Sequence, residues 1–421
     1  MRTTGSRGAR FIAFAAAMSV VAALVGCASG PMQTPIDLPE QIAGDLPPAT
    51  VQQLDAALAD SMALAAASGA VVGVWAPWSG RWTKAAGTVT PGGAPMTRDM
   101  HFRVGGNTKP MTCDVLFALV DAGRLSLDDD VADYLPGVVG ADGRTLGQLC
   151  RSTSGFGDYP VQLKQMFASN PQRLWTPLEL VSHGVSYPAV ATPGTTYSPS
   201  EPNYVLLGLA LEAATQSNMA ALYNDYVFEP LGMAKTGYPG PHDLTLPEPF
   251  ASGWEGRRQP DGSFVCDAPY DESKLSNSMV FAAGGVVSTV GDLKRYVQAL
   301  AVGSLRGPDT KDAAWETMPM TGAPSWQSFG PGALQVGPMR GQSGYMPGHI
   351  SAMLADPESG LTVVVMLNNS SAGEQFAQTL AMKLAAIASK AAPSGTGAQP
   401  EIGLPWSEEQ MSAQLAASGV C

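Results

Sequence analysis

The sequence predicts an α+β fold: an antiparallel sheet drawn from strands near both ends of the chain, flanked by helices, with a mainly helical subdomain inserted between them. Three observations predict it. Apolar strand-like runs occur early, at Ala70–Ala76, and again late, at Leu361–Leu367. A helix-rich stretch separates them, and a further helical segment follows the last strand.

Taken in order, Val51–Ser68 is Ala-rich and reads as a helix. Ala70–Ala76 and Arg81–Val89 read as strands joined by a turn at Pro77–Gly80. Phe102-Arg103-Val104 leads through Gly105-Gly106 into Met111–Val120, which is apolar nearly all round and therefore predicts a buried helix, stopped at Gly123. Further helices are expected at Leu146–Arg151, Pro177–His183, Tyr204–Ala214, Met219–Phe228 and Val290–Ala301. Strands His349–Leu354 and Leu361–Leu367 are joined by a turn at Asp356–Gly360, and Ala372–Lys390 is helical. Ala391–Pro400 reads as a spacer, and Ser407 with Gln410 forms a capping box that opens a short terminal helix.

Composition narrows the function. Of 421 residues, 45% are hydrophobic, ample for a large core. The balance of Lys+Arg 24 against Asp+Glu 36 gives −12, which argues against a nucleic-acid partner, since that affinity comes mainly from Lys and Arg. The histidines His101, His183, His242 and His349 have no metal-ligand spacing, and no C-x-x-C or H-E-x-x-H occurs, so neither a metal nor another cofactor is expected.

The N-terminus reads as an address. Arg2, Arg7 and Arg10 precede an apolar run from Phe11 to Gly26, shorter than the roughly 20 residues a spanning helix needs. It ends in Leu24-Val25-Gly26-Cys27, which resembles a bacterial lipobox. Residues 1–26 are then a lipoprotein signal peptide, and acylated Cys27 anchors an extracytoplasmic protein to the cell membrane. Residues 27–50, with Pro31, Pro35, Pro39, Pro47 and Pro48, read as a tether, residues 51–390 as the main domain, and residues 391–421 as linker and short helix. Export permits disulfides among Cys113, Cys150, Cys266 and Cys421, with three pairings open. Cys113 and Cys150 lie in apolar helical stretches and read equally well as free buried thiols.

From Phe102-Arg-Val-Gly-Gly-Asn-Thr-Lys109 onward the sequence resembles the penicillin-recognising serine hydrolases: class C β-lactamases, DD-carboxypeptidases and related esterases. Supporting segments run in order over roughly Ala66–Lys390. They include Gly123–Asp129, Tyr134–Gly137, Leu149–Tyr159, Pro193-Gly-Thr195, Asn203–Gly208, Pro230–Met233 and Pro347-Gly348. The resemblance implies an S-x-x-K motif opening the buried helix, where spacing three puts hydroxyl and amine on one face. Here Gly106 stands at the Ser position and Lys109 at the Lys position; no lysine in the chain has Ser three residues before it. The family's Y-x-N motif falls on Pro199-Ser200-Glu201, and its K-T-G or H-x-G on Gln342-Ser343-Gly344.

Main-chain N–H groups of Gly106 and Tyr345 are what the resemblance assigns to the oxyanion hole. Catalytic positions Gly106, Lys109, Pro199, Glu201 and Gln342 are therefore degenerate, while Gly106, Lys109, Gln342, Ser343 and Tyr345 remain candidates for binding a ligand. Thr108, Ser154 and Ser343 are the candidates for a substitute nucleophile, and Tyr197 for a substitute tyrosine. Lys109, left without its Ser, is expected to pair with Glu201. The expectation is a non-hydrolytic envelope lipoprotein that binds peptidoglycan-type peptides or a protein partner. A serine hydrolase with residual or altered activity, and a structural envelope scaffold, are the alternatives.

Overall fold

The computed structural model describes residues 33–259, 263–394 and 398–420. The segment expected to be a signal peptide, and Cys27, lie outside the described residues. Along the chain, helix α1 (Pro48–Leu64) is followed by strands β1 (Gly69–Ala76), β2 (Gly80–Gly87) and β3 (Phe102–Arg103). Helices α2 (Thr108–Asp121), α3 (Val131–Tyr134), α4 (Leu146–Cys150), α5 (Pro160–Ser169), α6 (Pro177–Val185), α7 (Glu201–Thr215), α8 (Met219–Tyr223) and α9 (Glu229–Leu231) make up the inserted block. The expected helix over 219–228 changes character part-way, passing from α8 into a π-helical turn at Asn224–Phe228.

After the helical block come β4 (Trp254–Arg258), β5 (Phe264–Asp271), β6 (Val287–Ser288) and α10 (Val290–Val302). Short strands β7 (Met318–Pro319), β8 (Gln327–Phe329) and β9 (Leu334–Val336) lead to β10 (Met339–Met346), β11 (His349–Ala355) and β12 (Thr362–Leu367). Helices α11 (Glu374–Ala388) and α12 (Glu408–Ala417) close the chain. The main sheet has the order β2-β1-β12-β11-β10-β9-β8-β7, each neighbour antiparallel. Early strand β1 and late strand β12 pair from Ala70↔Leu367 to Trp75↔Thr362, so the two ends of the sequence share one sheet.

Both faces of that sheet are covered, which is why β1 and β12 are buried at every residue rather than at alternate ones. On β1 the period of two splits the side chains between two cores. Val71 and Trp75 join the core shared with α2 and the helical block, whereas Ala70, Val72 and Val74 join the one under α1, α11 and α12.

Two terminal segments are more closely docked than their composition implies. From Gln33 on, the Pro-rich stretch lies along the domain: Ile42 N–H donates to Pro77 O at 3.2 Å and Leu46 N–H to Arg81 O at 3.0 Å. Proline withholds its own donor, but the N–H groups between prolines still need acceptors, and Ile42 and Leu46 find them on the β1–β2 turn and the start of β2. At the other end Trp78 Nε1 donates to Ala391 O at 2.9 Å, and Trp406 Nε1 to Met382 O at 2.9 Å. The terminal helix thus belongs to the core, with Met411 and Leu415 buried.

Cys113 on α2 and Cys150 on α4 are joined in a disulfide, their Cα atoms 5.6 Å apart. The reading as free thiols gives way here: both side chains point into the one seam where α2 meets α4, a juxtaposition that helical periodicity in either segment cannot reveal. Cys266 lies on β5, and Cys421 is outside the described residues. The same helix α2 carries Asp114, buried in an ion pair with Arg306 and accepting from Tyr296 Oη at 2.6 Å. Replacing both cysteines by Ser should lower stability by about 2–4 kcal/mol. Paired denaturant titrations of the wild-type and double-Ser proteins check this, and superimposable curves count against the bond.

Candidate active site

Beyond Gly341, strand β10 loses its neighbour β9 and becomes a sheet edge. The tight turn Gly105–Asn107 that opens α2 is packed against that edge. Gly105 takes φ +51, a left-handed conformation that favours glycine. A β-carbon on Gly106 would stand 2.6 Å from Ser343 O, a main-chain atom that cannot swing aside. Glycine at 106 therefore has a packing reason as well as a chemical consequence: it supplies no atom able to attack a carbonyl.

A cavity of about 340 Å³ lies against this turn. Gly106 and Tyr345 both line it, as do Asp158, Glu201 and Glu374; its apolar wall includes Phe167, Met279 and Val280. The Tyr345 side chain turns its hydroxyl to Glu255, donating at 3.0 Å to Oε2.

Lys109, in the first turn of α2, donates to Glu201 Oε1 at 2.6 Å and lies 5.5 Å from the centre of the Tyr204 ring. Glu201 is brought there as the first residue of α7, where its N–H donates to Asp158 Oδ1 at 2.9 Å. The expected Lys109–Glu201 pair is thus formed. Burial alone would lower the Lys109 pKa, but Glu201, then Glu374 and Tyr204, outweigh it and hold the ammonium protonated, well above its ordinary value. A protonated amine has no lone pair with which to take a proton from a nucleophile.

Other motif positions are occupied by structural work. Pro199 is exposed ahead of α7, and Ser200 donates to Gly157 O at 2.8 Å. Gln342 Nε2 donates to Gly332 O at 2.8 Å while its Oε1 accepts from Ser343 N–H at 2.9 Å. Ser343 points to α11, its hydroxyl 3.5 Å from Gln378 Oε1. Neither Gln342 nor Ser343 lines the cavity. Thr108 Oγ1 accepts from Val286 N–H at 3.1 Å, and Ser154 Oγ from Phe156 N–H at 3.2 Å, so neither is presented as a nucleophile.

Tyr197 stacks on Phe329 with ring centres 4.5 Å apart. Burial pushes its pKa up to about 12, against the pull of Lys109, so it is a poor base. His349 sits beside Phe102 and within 3.1 Å of Ala251 O, its pKa lowered to about 3 by burial and by Arg103. Among the described residues no three His, Cys, Asp or Glu side chains lie together in a way that could hold a metal ion.

Two cavity acids were missed by sequence reasoning. Asp158 sits in the family-like segment Leu149–Tyr159, which offered a signal. Burial first, then Glu201, raises its pKa to about 7, against its backbone hydrogen bonds and Lys109. Glu374 opens α11 after Gly373, and its Oε2 lies 3.7 Å from where a β-carbon on residue 106 would stand. Although Glu374 is an exposed residue, its carboxylate faces the cavity, where desolvation raises its pKa against Lys109. Nothing local in the sequence marks that reach.

The β-lactamase family model matches residues 54–387. The chain belongs to the β-lactamase family. Its fold is that of β-lactamase-like serine hydrolases, and its relatives include hydrolases. Esterase EstB of Burkholderia gladioli is 28% identical over 304 residues, covering 64% of this chain and 71% of that protein. Penicillin-binding protein 4 of Amycolatopsis lactamdurans is 30% identical over 162 residues, 37% of this chain and 39% of that one, so the chain spans well under half of that relative. Among solved structures, a D-stereospecific amidohydrolase from Streptomyces sp. superposes with a TM-score of 0.66 at 28% identity, covering 76% of this chain and 94% of that chain.

Asp158 generates a pH prediction. Its folded pKa of about 7 lies above the ordinary 3.8, so between those values the folded protein holds a proton that the unfolded chain has lost. The associated stability is complete below about pH 4 and is lost as pH rises through about 7. Asp158→Asn keeps an acceptor for the Glu201 and Tyr159 N–H groups, so it should flatten that decline and be more stable than wild type at pH 8 by on the order of 1 kcal/mol. Denaturant titrations at pH 4 and pH 8 decide it, and parallel pH dependence in the two proteins contradicts it.

Proposed function

We propose that this chain is a non-hydrolytic member of the family, displayed on the outer side of the cell membrane as a lipoprotein, that holds a peptide-like ligand in the inherited cavity. The observation that carries this reading is Gly106. The nucleophile position has no side-chain atom, and the neighbouring main chain leaves no room for one. Lys109, committed to Glu201, adds that no base stands ready there. Peptides of the cell wall are the ligand class favoured by the family's carboxypeptidase relatives, such as the D-alanyl-D-alanine-carboxypeptidase/endopeptidase AmpH of Escherichia coli, 28% identical over 208 residues.

Incubated with a fluorescent penicillin, the purified protein should carry no covalent label and show no acyl adduct by mass spectrometry. Gly106→Ser should remain unlabelled too, and should be less stable by about 1–3 kcal/mol from overpacking against Ser343 O. An acyl adduct on any serine or threonine of the wild-type cavity overturns the reading. For display at the membrane, the basic-then-apolar N-terminus ending at Cys27 is the support. Cys27→Ala should abolish incorporation of radiolabelled palmitate; undiminished labelling would place the lipid elsewhere.

A further inference from the structure

The cavity is a site by its place in the fold, and its charge decides what it can hold. Among the described residues that line it, Asp158, Glu201 and Glu374 are acids and none is Lys, Arg or His. The cation nearest to it, Lys109, is taken by Glu201 at 2.6 Å. Asp158 is also engaged, accepting from the N–H groups of Glu201 at 2.9 Å and Tyr159 at 3.0 Å. That leaves Glu374, whose carboxylate faces Gly106 with no hydrogen bond or ion pair to the described residues.

A ligand carboxylate brought to this end of the cavity would meet Glu201 and Glu374 with the single ammonium of Lys109 between them, an excess of negative charge that disfavours it. A primary ammonium there would meet a charged acceptor and gain a charge-assisted hydrogen bond. These acids do not form a metal-holding group, so their charge suits an extended organic cation better than a bare ion. Phe167, Met279, Val280 and Ala283 line the cavity with apolar surface that a methylene stem can cover.

We infer that the cavity recognises a peptide by a primary ammonium on an apolar stem, with Glu374 as the residue that determines this specificity. This rests on the reading of the chain as a non-hydrolytic binder and adds the chemistry of its ligand. It makes a ligand's amine, and not a free carboxylate, the group by which it is chosen. The raised pKa of Glu374 is consistent, because a carboxylate made costly by desolvation gains most from an arriving cation.

Three probes separate the possibilities by isothermal titration calorimetry on the purified full chain in detergent. These are Nα-acetyl-L-lysyl-D-alanyl-D-alanine, its Nα,Nε-diacetyl counterpart, and the C-terminal amide of the first. The free-amine peptide should bind at least about tenfold more tightly than the diacetylated one. The amide should bind as tightly as the acid or more so. Glu374→Gln should erase the preference for the amine while unfolding at the wild-type temperature, as expected for an exposed first-turn residue.

Equal affinity for the mono- and diacetylated peptides overturns the inference, as does a preference that survives Glu374→Gln. Failure of all three peptides to bind overturns it as well. None of these results touches the absence of hydrolysis, which stands or falls on covalent labelling by penicillin.

Discussion

The site depends on main chain packed against main chain. Past Gly341 the sheet has an open edge, and the turn that opens α2 is pressed onto it, so that residues 105 and 106 meet the backbone of residues 343–345. Contacts this close crowd any side chain at residues 105 and 106. The positive φ of Gly105 and the proximity of Ser343 O to Gly106 are two expressions of one constraint. A side chain at residue 106 would need the main chain at Ser343 to shift, which costs more than moving a flexible side chain.

Electrostatics then follow from which helix starts converge. Lys109 lies in the first turn of α2, Glu201 begins α7 and Glu374 begins α11; the two carboxylates line the cavity and Lys109 pairs with Glu201 beside it. An unpaired Lys in this half-buried position would tend to lose its proton. Beside Glu201 it is instead held as a cation, which exchanges a base for a structural ion pair. Glu374 shares the attraction of that one ammonium with Glu201, which leaves two carboxylates to one cation.

Much of the architecture was legible in the chain. Apolar runs marked β1, β11 and β12, and the all-round apolar segment after Gly105-Gly106 marked the buried helix α2. The short strands β7, β8 and β9 were not read, because two or three residues give too little periodicity to register. Strands β4 and β5 were not read either, although Pro260-Asp261-Gly262 between them is a sequence signal for a turn. The docking of residues 33–47 was also invisible: a Pro-rich composition describes stiffness and says nothing of available acceptors. Of the site, Gly106, Lys109 and Glu201 could be found by spacing and alignment. Glu374 could not, since its claim rests on its closeness to a turn that is remote from it in the sequence.

By itself the sequence determined the family-like order of segments, the lost hydroxyl at 106 and the retained amine at 109, because these are matters of residue identity and spacing. Only the tertiary structure decided which of the altered positions face the cavity, that Gln342 and Ser343 are turned to other partners, and that Glu374 stands where the attacking group is missing. The physical reason is that side-chain direction and through-space charge depend on how α2, α7, α11 and the edge of β10 are brought together, and no local stretch of chain encodes that meeting.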